Sequence, residues 1–170
     1  PSTLSISSGT ISGTPINANV GSHTIVVTCT DGSSAAVSDS YDLTITNTND
    51  APTVTSAISD GSIAEDASYS LNAAAAFTDV DSSDTLTYTM SGAPSTLSIS
   101  SGTISGTPLN ADVGAHTIIV TATDGSNAAV SDTFILTVTN TNDAPTVANA
   151  IADASTAEDA AYTLLSLIHI

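Results

Sequence analysis

The sequence has no lysine, no arginine and no tryptophan in 170 residues, against 17 aspartates and glutamates, and its formal charge is −17 at pH 7. A nucleic-acid surface neutralises phosphates with cationic side chains, so this chain is excluded as a nucleic-acid binder. The same deficit sets it against an anionic membrane. No apolar run reaches the ~18 residues of a spanning helix, so direct membrane insertion by this fragment is not expected. One cysteine, Cys29, precludes an internal disulfide, and burial as a small hydrophobe is its expected fate. The lone methionine, Met90, lies inside a strand-like run, so the chain reads as starting and ending within a longer protein whose targeting signals lie elsewhere.

What the chain does have is repetition. The block Pro1 to Leu71 returns at Pro94 to Leu164 without insertion or deletion, with roughly three quarters of aligned positions identical. The period is one whole β-domain long, too long for a solenoid unit. Cys29 aligns with Ala122, so that site accepts either small residue. Hydrophobic residues make up 41% of the chain and are spread through alternating runs, enough for a core in one complete domain.

The local pattern is strand and turn. His116 to Thr123 is rich in β-branched residues and ends at Asp124-Gly125. Strands are expected near Thr53–Ile58, Ser68–Asn72, Thr85–Met90, Thr96–Ser100, Thr103–Ser105, Ala115–Thr123 and Val130–Thr139. Ala73 to Ala76 is too short for an independent helix and reads as a strand end or a single turn. The expected fold is all-β, as tandem immunoglobulin-like seven-strand β-sandwich repeats. Residues 1–50 read as the C-terminal part of a truncated repeat, 51–143 as a complete repeat and 144–164 as the start of a third. Residues 165–170 break the register and read as the translation of a sequencing adapter.

Two copies of NTNDAP, Asn47 to Pro52 and Asn140 to Pro145, resemble the calcium-binding linker between cadherin repeats. Asp79-Val80-Asp81 with Asp84, Thr123-Asp124-Gly125 and Glu65-Asp66 are similar to the other acidic motifs of that family. Leu97 to Pro108, reading LSISSGTISGTP, resembles dystroglycan-type cadherin-like and bacterial immunoglobulin-like repeats of large surface adhesins. The resemblance covers residues 1–164. It implies Ca2+ as cofactor and a first junction built from Asn47, Asn49, Asp50, Asp79, Asp81 and Asp124. It also implies a second junction with Glu65, Asp66, Asn140, Asn142 and Asp143. The linker is one residue shorter than in cadherins and begins with asparagine, which implies one or two ions per junction.

The residues support this independently, because calcium takes six to eight oxygen ligands and alternate carboxylates such as Asp79 and Asp81 can converge on one ion. With no Lys or Arg in the chain, clustered carboxylates need solvent or a metal. Solvated Asx turns use the same residues. The leading function is a calcium-stiffened structural or adhesion repeat of a cell-surface or secreted protein. Its partners would be neighbouring repeats of the same chain and a cell-surface protein or glycan. The alternative is a carbohydrate-binding accessory module of a secreted hydrolase, but aromatic platforms are scarce, and Tyr69 and Tyr88 read as core residues. An enzyme is not expected, since His23 and His116 occupy one repeat position and read as packing residues.

Overall fold

The computed structural model describes residues 1–147 and 150–164. Residues 165–170, read above as adapter sequence, lie outside the described residues. The first half holds β1 (Leu4–Ser7), β2 (Thr10–Gly13), β3 (Gly21–Thr30) and β4 (Ala36–Ile45). The second holds β5 (Thr53–Val54), β6 (Gly61–Ala64), β7 (Tyr69–Asn72), β8 (Phe77–Thr78) and β9 (Thr87–Ser91). It continues with β10 (Leu97–Ser100), β11 (Thr103–Gly106), β12 (Gly114–Thr123) and β13 (Ala129–Thr139). Ala73–Ala76 forms one 3-10 turn, as its length requires.

Residues 51–139 make an immunoglobulin-like β-sandwich. One sheet has the order β6-β13-β12-β9 and the other β10-β11-β7, with a small β5-β8 pair alongside. β12 and β13 are antiparallel over their full length, from Gly114↔Val138 to Thr123↔Ala129. In β12 the alternation directs Ile118, Val120 and Ala122 inward, each 0% exposed, and leaves Ile119 40% exposed on the outer face. Phe134, Leu136 and Val138 of β13 and Ile104 of β11 complete this buried set. Each such side chain contributes roughly 1.5–3 kcal/mol by leaving water. Tyr69 and Tyr88 pack against this core, and Tyr88 meets Phe77 with ring centroids 6.0 Å apart.

The expected strand at Thr53–Ile58 is shorter, ending at Val54. Two strands were not foreseen, β6 and β8. β6 is parallel to β13, with Leu136↔Gly61 and Thr139↔Ala64. Its partner lies about 75 residues away, so no local turn signal announces it.

The first half repeats β10–β13 as β1–β4, in the same register. Leu4↔Gly13 matches Leu97↔Gly106, and Gly21↔Ile45 matches Gly114↔Val138. These four strands form two separate pairs, with no counterparts of β6, β7 and β9 among the described residues of this half. Its inward face is therefore open. Ile11, Ile25 and Val27 are only half-buried where Ile104, Ile118 and Val120 are fully buried. Cys29 is exposed, against the expected burial, while its counterpart Ala122 is 0% exposed.

Gly106 ends β11 at φ +152, and a Cβ there would sit 2.1 Å from the backbone oxygen of Thr96. Backbone must shift to admit it, so Gly106→Ala is expected to cost about 3 kcal/mol. Gly114 at φ +138 has open space around it, so Gly114→Ala should cost roughly 1 kcal/mol, from backbone conformation alone. Urea unfolding of the two variants checks the contrast, and equal losses would refute it.

Candidate metal centre

Two loops at one end of the sandwich, following β8 and β12, carry the acidic residues. In the first, Asp81 N–H donates to Asp79 Oδ1 at 2.9 Å and Asp84 N–H to the Asp81 carbonyl at 2.9 Å. These bonds fold residues 79–84 into a tight loop. In the second, Asp124 Oδ1 accepts from Ser126 N–H at 2.9 Å and Ala128 N–H at 2.8 Å, which pins the turn between β12 and β13. The loops bring Asp79, Asp84 and Asp124 together, with one oxygen of each inside 4.8 Å of the others.

The preceding linker is tied to both loops. Asn49 Nδ2 donates to Asp124 Oδ2 at 2.9 Å, and Asp50 N–H donates to Asp81 Oδ2 at 2.7 Å. Asn17 Nδ2 donates to Asp50 Oδ2 at 2.8 Å and to Asp81 Oδ1 at 3.4 Å. Asp81 and Asp124 are only 3% and 4% exposed. Asn47 lines a small cleft with Asn17, Val80 and Asp81.

The residues fit a hard divalent cation. Asp79 Oδ2 and Asp84 Oδ2 are buried and have no hydrogen-bond partner. Three carboxylates converge without a cation, and all the donor atoms are oxygens, the set calcium prefers; nitrogen or sulfur ligands would suit zinc. Desolvation pushes the Asp84 carboxyl above its ordinary range, and Asp124, Asp79 and Asp81 push it in the same direction. The Asn49 amide holds Asp124 below that range, helped by the turn N–H groups, against a smaller desolvation effect.

A pH response follows from these directions. Asp84 takes up its proton at higher pH in the folded than in the unfolded chain, so its charge destabilises the calcium-free fold at neutral pH. That penalty is relieved as pH falls through the raised folded value toward the ordinary 3.8. Asp112 and Asp124 are lowered, so their stabilisation is present above 3.8 and is lost only at more acid pH. Calcium-free protein is therefore expected to melt higher as pH is lowered from 7 toward the raised Asp84 value, and Asp84→Asn should remove most of that rise. An unchanged rise in that variant would trace it to the general charge instead.

The second predicted group is arranged differently. Glu65 is 2% exposed, with Oε1 accepting from Thr141 N–H at 2.6 Å and Oε2 buried without a partner. Asp66 has φ 60 and donates its N–H to the Pro108 carbonyl at 2.7 Å. Asn142 Nδ2 reaches the Asp143 carbonyl at 3.2 Å, and Asn110 Nδ2 reaches Asp143 Oδ2 at 3.4 Å. Asn140 only leads β13 into this linker. Among the described residues, the sole group of three convergent metal-ligating side chains is Asp79, Asp84 and Asp124.

Asp84 and Asn17 were absent from the sequence-derived ligand set. Asp84 belongs to the same acidic run. Asn17 was findable from the repeat, since Asn17–Asp50 and Asn110–Asp143 have the same separation. Both histidines are half-buried, with His116 Nε2 2.6 Å from the Asp112 carbonyl and His23 Nε2 2.7 Å from that of Asn19.

The paired sheets define an immunoglobulin-like domain. Residues 1–46 and 51–139 match the profile of the family described as "Putative Ig domain" (He_PIG), and the chain belongs to that family. No curated protein matches the chain. Among solved structures it is similar to the endo-fucoidan hydrolase MfFcnA4 of glycoside hydrolase family 107, at 22% identity and TM-score 0.46, over 84% of this chain and 23% of that one. MfFcnA9 of the same family gives 23% identity and TM-score 0.42, over 81% and 26%. A SusE-like surface located polysaccharide binding protein from the Bacteroides thetaiotaomicron heparin utilisation locus gives 16% identity and TM-score 0.42, over 69% and 24%. The chain thus spans about a quarter of each of these structures.

Proposed function

We propose that the chain is a non-catalytic spacer of a large extracellular or cell-surface protein, in which calcium stiffens the junction between immunoglobulin-like repeats. One observation carries this reading: Asp79, Asp84 and Asp124 converge with two partnerless buried oxygens where the preceding linker docks through Asn49 and Asp50. Calcium would be held by these three carboxylates and would offset their mutual repulsion. Asp81 would hold the linker by its backbone, and Asn49 would add a neutral side chain beside the ion. Residues 1–50, 51–143 and 144–164 are taken as part of one repeat, a complete repeat and the start of another. A spacer of this kind sets the reach of an adhesive surface, whose partner is a cell-surface protein or a glycan.

The carbohydrate-module reading finds little support in the aromatics. Phe77 belongs to the core cluster, and Tyr69 and Tyr88 pack against it. Tyr41 and Tyr162 are exposed, but they align with Phe134 and Tyr69, which are core positions in the complete repeat. Calorimetric titration with calcium, paired with small-angle scattering, tests the proposal. Saturable binding with a longer maximum dimension is expected; titration without heat or stiffening would refute it.

A further inference from the structure

We propose that Asn17 sets the number of ions at the first junction: its uncharged amide holds Asp50 and Asp81, so that the junction takes one calcium ion and not two, an inference that rests on the calcium reading above. The carboxylates of the junction are of two kinds. Asp79 and Asp84 each have a buried oxygen without a hydrogen-bond partner. Asp81 has both oxygens satisfied, Oδ2 by the Asp50 N–H at 2.7 Å and Oδ1 by the Asn17 amide at 3.4 Å. Asp50 Oδ2 accepts from the same Asn17 nitrogen at 2.8 Å. Neither Asp50 nor Asp81 belongs to the convergent group of Asp79, Asp84 and Asp124.

Asn17 belongs to the first half and is held in place there. It opens the 3-10 turn Asn17–Asn19, in which Asn19 N–H bonds to the Ile16 carbonyl at 2.7 Å and Val20 N–H to the Asn17 carbonyl at 3.0 Å. The Asn19 side chain, 8% exposed, locks this turn, since its Oδ1 accepts from Ile16 N–H at 3.1 Å and from Thr3 Oγ1 at 2.9 Å. An ionised carboxylate accepts hydrogen bonds and cannot donate them, so the Asn17 amide must present its N–H groups, not its oxygen, to Asp50 and Asp81. The pairing recurs at the next linker. Asn110 opens the equivalent turn Asn110–Asp112, and its Nδ2 lies 3.4 Å from Asp143 Oδ2.

In a chain without Lys or Arg, neighbouring carboxylates are bridged either by a metal ion or by neutral N–H donors. Asn17 is the neutral donor here. An ion entering between Asp50 and Asp81 would have to displace the amide and give up both of its charge-assisted hydrogen bonds. The bare oxygens of Asp79 and Asp84 lose no such partner, so the ion goes to them. Asn17 is therefore a positioning residue for the metal centre. It seats the linker on the loop between β8 and β9 before calcium arrives, and it keeps that seat free of an ion of its own.

Calorimetric titration of the 170-residue chain should count one calcium ion. Asn17→Asp should raise the count to two, because it exchanges the amide donors for a third carboxylate beside Asp50 and Asp81. Adding Asp50→Asn to that variant should return the count to one, a reversal that a merely structural role for Asn17 would not produce. Asn17→Leu supplies neither donor nor charge. It should still bind one ion, with the Asp50 N–H exchanging on the order of tenfold faster in calcium-free buffer. At calcium saturation the Asn17 side-chain amide protons of the parent should keep their hydrogen-bonded NMR shifts. Asn17 is exposed, so these substitutions leave the core untouched. Two ions in the parent, no gain in Asn17→Asp, a gained ion that survives Asp50→Asn, unchanged Asp50 exchange in Asn17→Leu, or amide protons released by calcium would each overturn the proposal. A parent that binds no calcium would sink the calcium reading itself. Against that background, an ion gained by Asn17→Asp would still uphold the role of Asn17, and no gain would overturn it.

Discussion

Phe134→Ala should cost about 3–5 kcal/mol, while Tyr41→Ala, at the same position one repeat earlier, should leave the main unfolding transition where it is. Phe134 is 1% exposed and sits opposite Ile118, in the core closed by the second sheet. Deleting its ring leaves a cavity that neighbours fixed in two sheets cannot fill. Tyr41 is 44% exposed on a pair of strands that has no complete covering sheet among the described residues, so its ring contributes little to any closed core. A loss of about 4 kcal/mol is a large part of the 5–15 kcal/mol that holds a domain folded. Urea unfolding should show a lower midpoint at unchanged slope for the first variant and the parent curve for the second. The contrast rests on residues 51–143 being the unit that folds cooperatively. Equal losses at Phe134 and Tyr41 would mean that both halves share one core.

Much of this architecture was legible because the strands on which it rests are local signals. β12 alternates inward Ile118, Val120 and Ala122 with outward Thr117, Ile119 and Thr121 and stops at Asp124-Gly125, so its span could be read to within a residue. β6 could not be read that way. Gly61-Ser62-Ile63-Ala64 has little strand propensity and is held by parallel bonding to the far end of β13, a long-range pairing that sequence pattern does not record. The exposure of Cys29 was missed for a related reason. Its alignment with a small core residue predicts burial, but burial needs covering strands, and the described part of the first half contributes none.

The proximity of the acidic loops was legible in the sequence, whereas their hydrogen bonding was not. Alternate spacing suggests that Asp79 and Asp81 face one ion; in the structure both Asp81 oxygens accept hydrogen bonds, from the Asp50 backbone and the Asn17 amide, while Asp84 lies near Asp79 and Asp124 and has one buried oxygen without a partner. A residue five positions on is brought close by the turn that the Asp81 carbonyl closes on Asp84 N–H. Spacing alone does not encode that turn.

Replacing Asp79 and Asp84 together by asparagine should therefore abolish the calcium response, whereas Asp81→Asn should change stiffening more than affinity. The double replacement keeps the size of the loop and removes two of the three convergent charges, and it takes away both carboxylate oxygens that lack partners. Calcium affinity in extracellular modules lies near 10⁻⁴–10⁻³ M and follows ligand charge, so few ions should bind once those charges are gone. At a hundredfold excess over its dissociation constant, calcium should stabilise the parent by about 2.7 kcal/mol. For a domain of this size that is on the order of 10–20 °C in melting temperature. In calcium-free buffer the double variant should melt above the parent, because it lacks the repulsion and desolvation that raise Asp84. Asp81→Asn weakens the hold on Asp50 and Asn17, so the ion binds but the linker is less firmly seated. Calorimetry separates the binding outcomes and scattering the stiffening ones. Equal calcium binding by the parent and the double variant would remove Asp79 and Asp84 from the site, and binding by neither would leave the acidic loops as solvated turns.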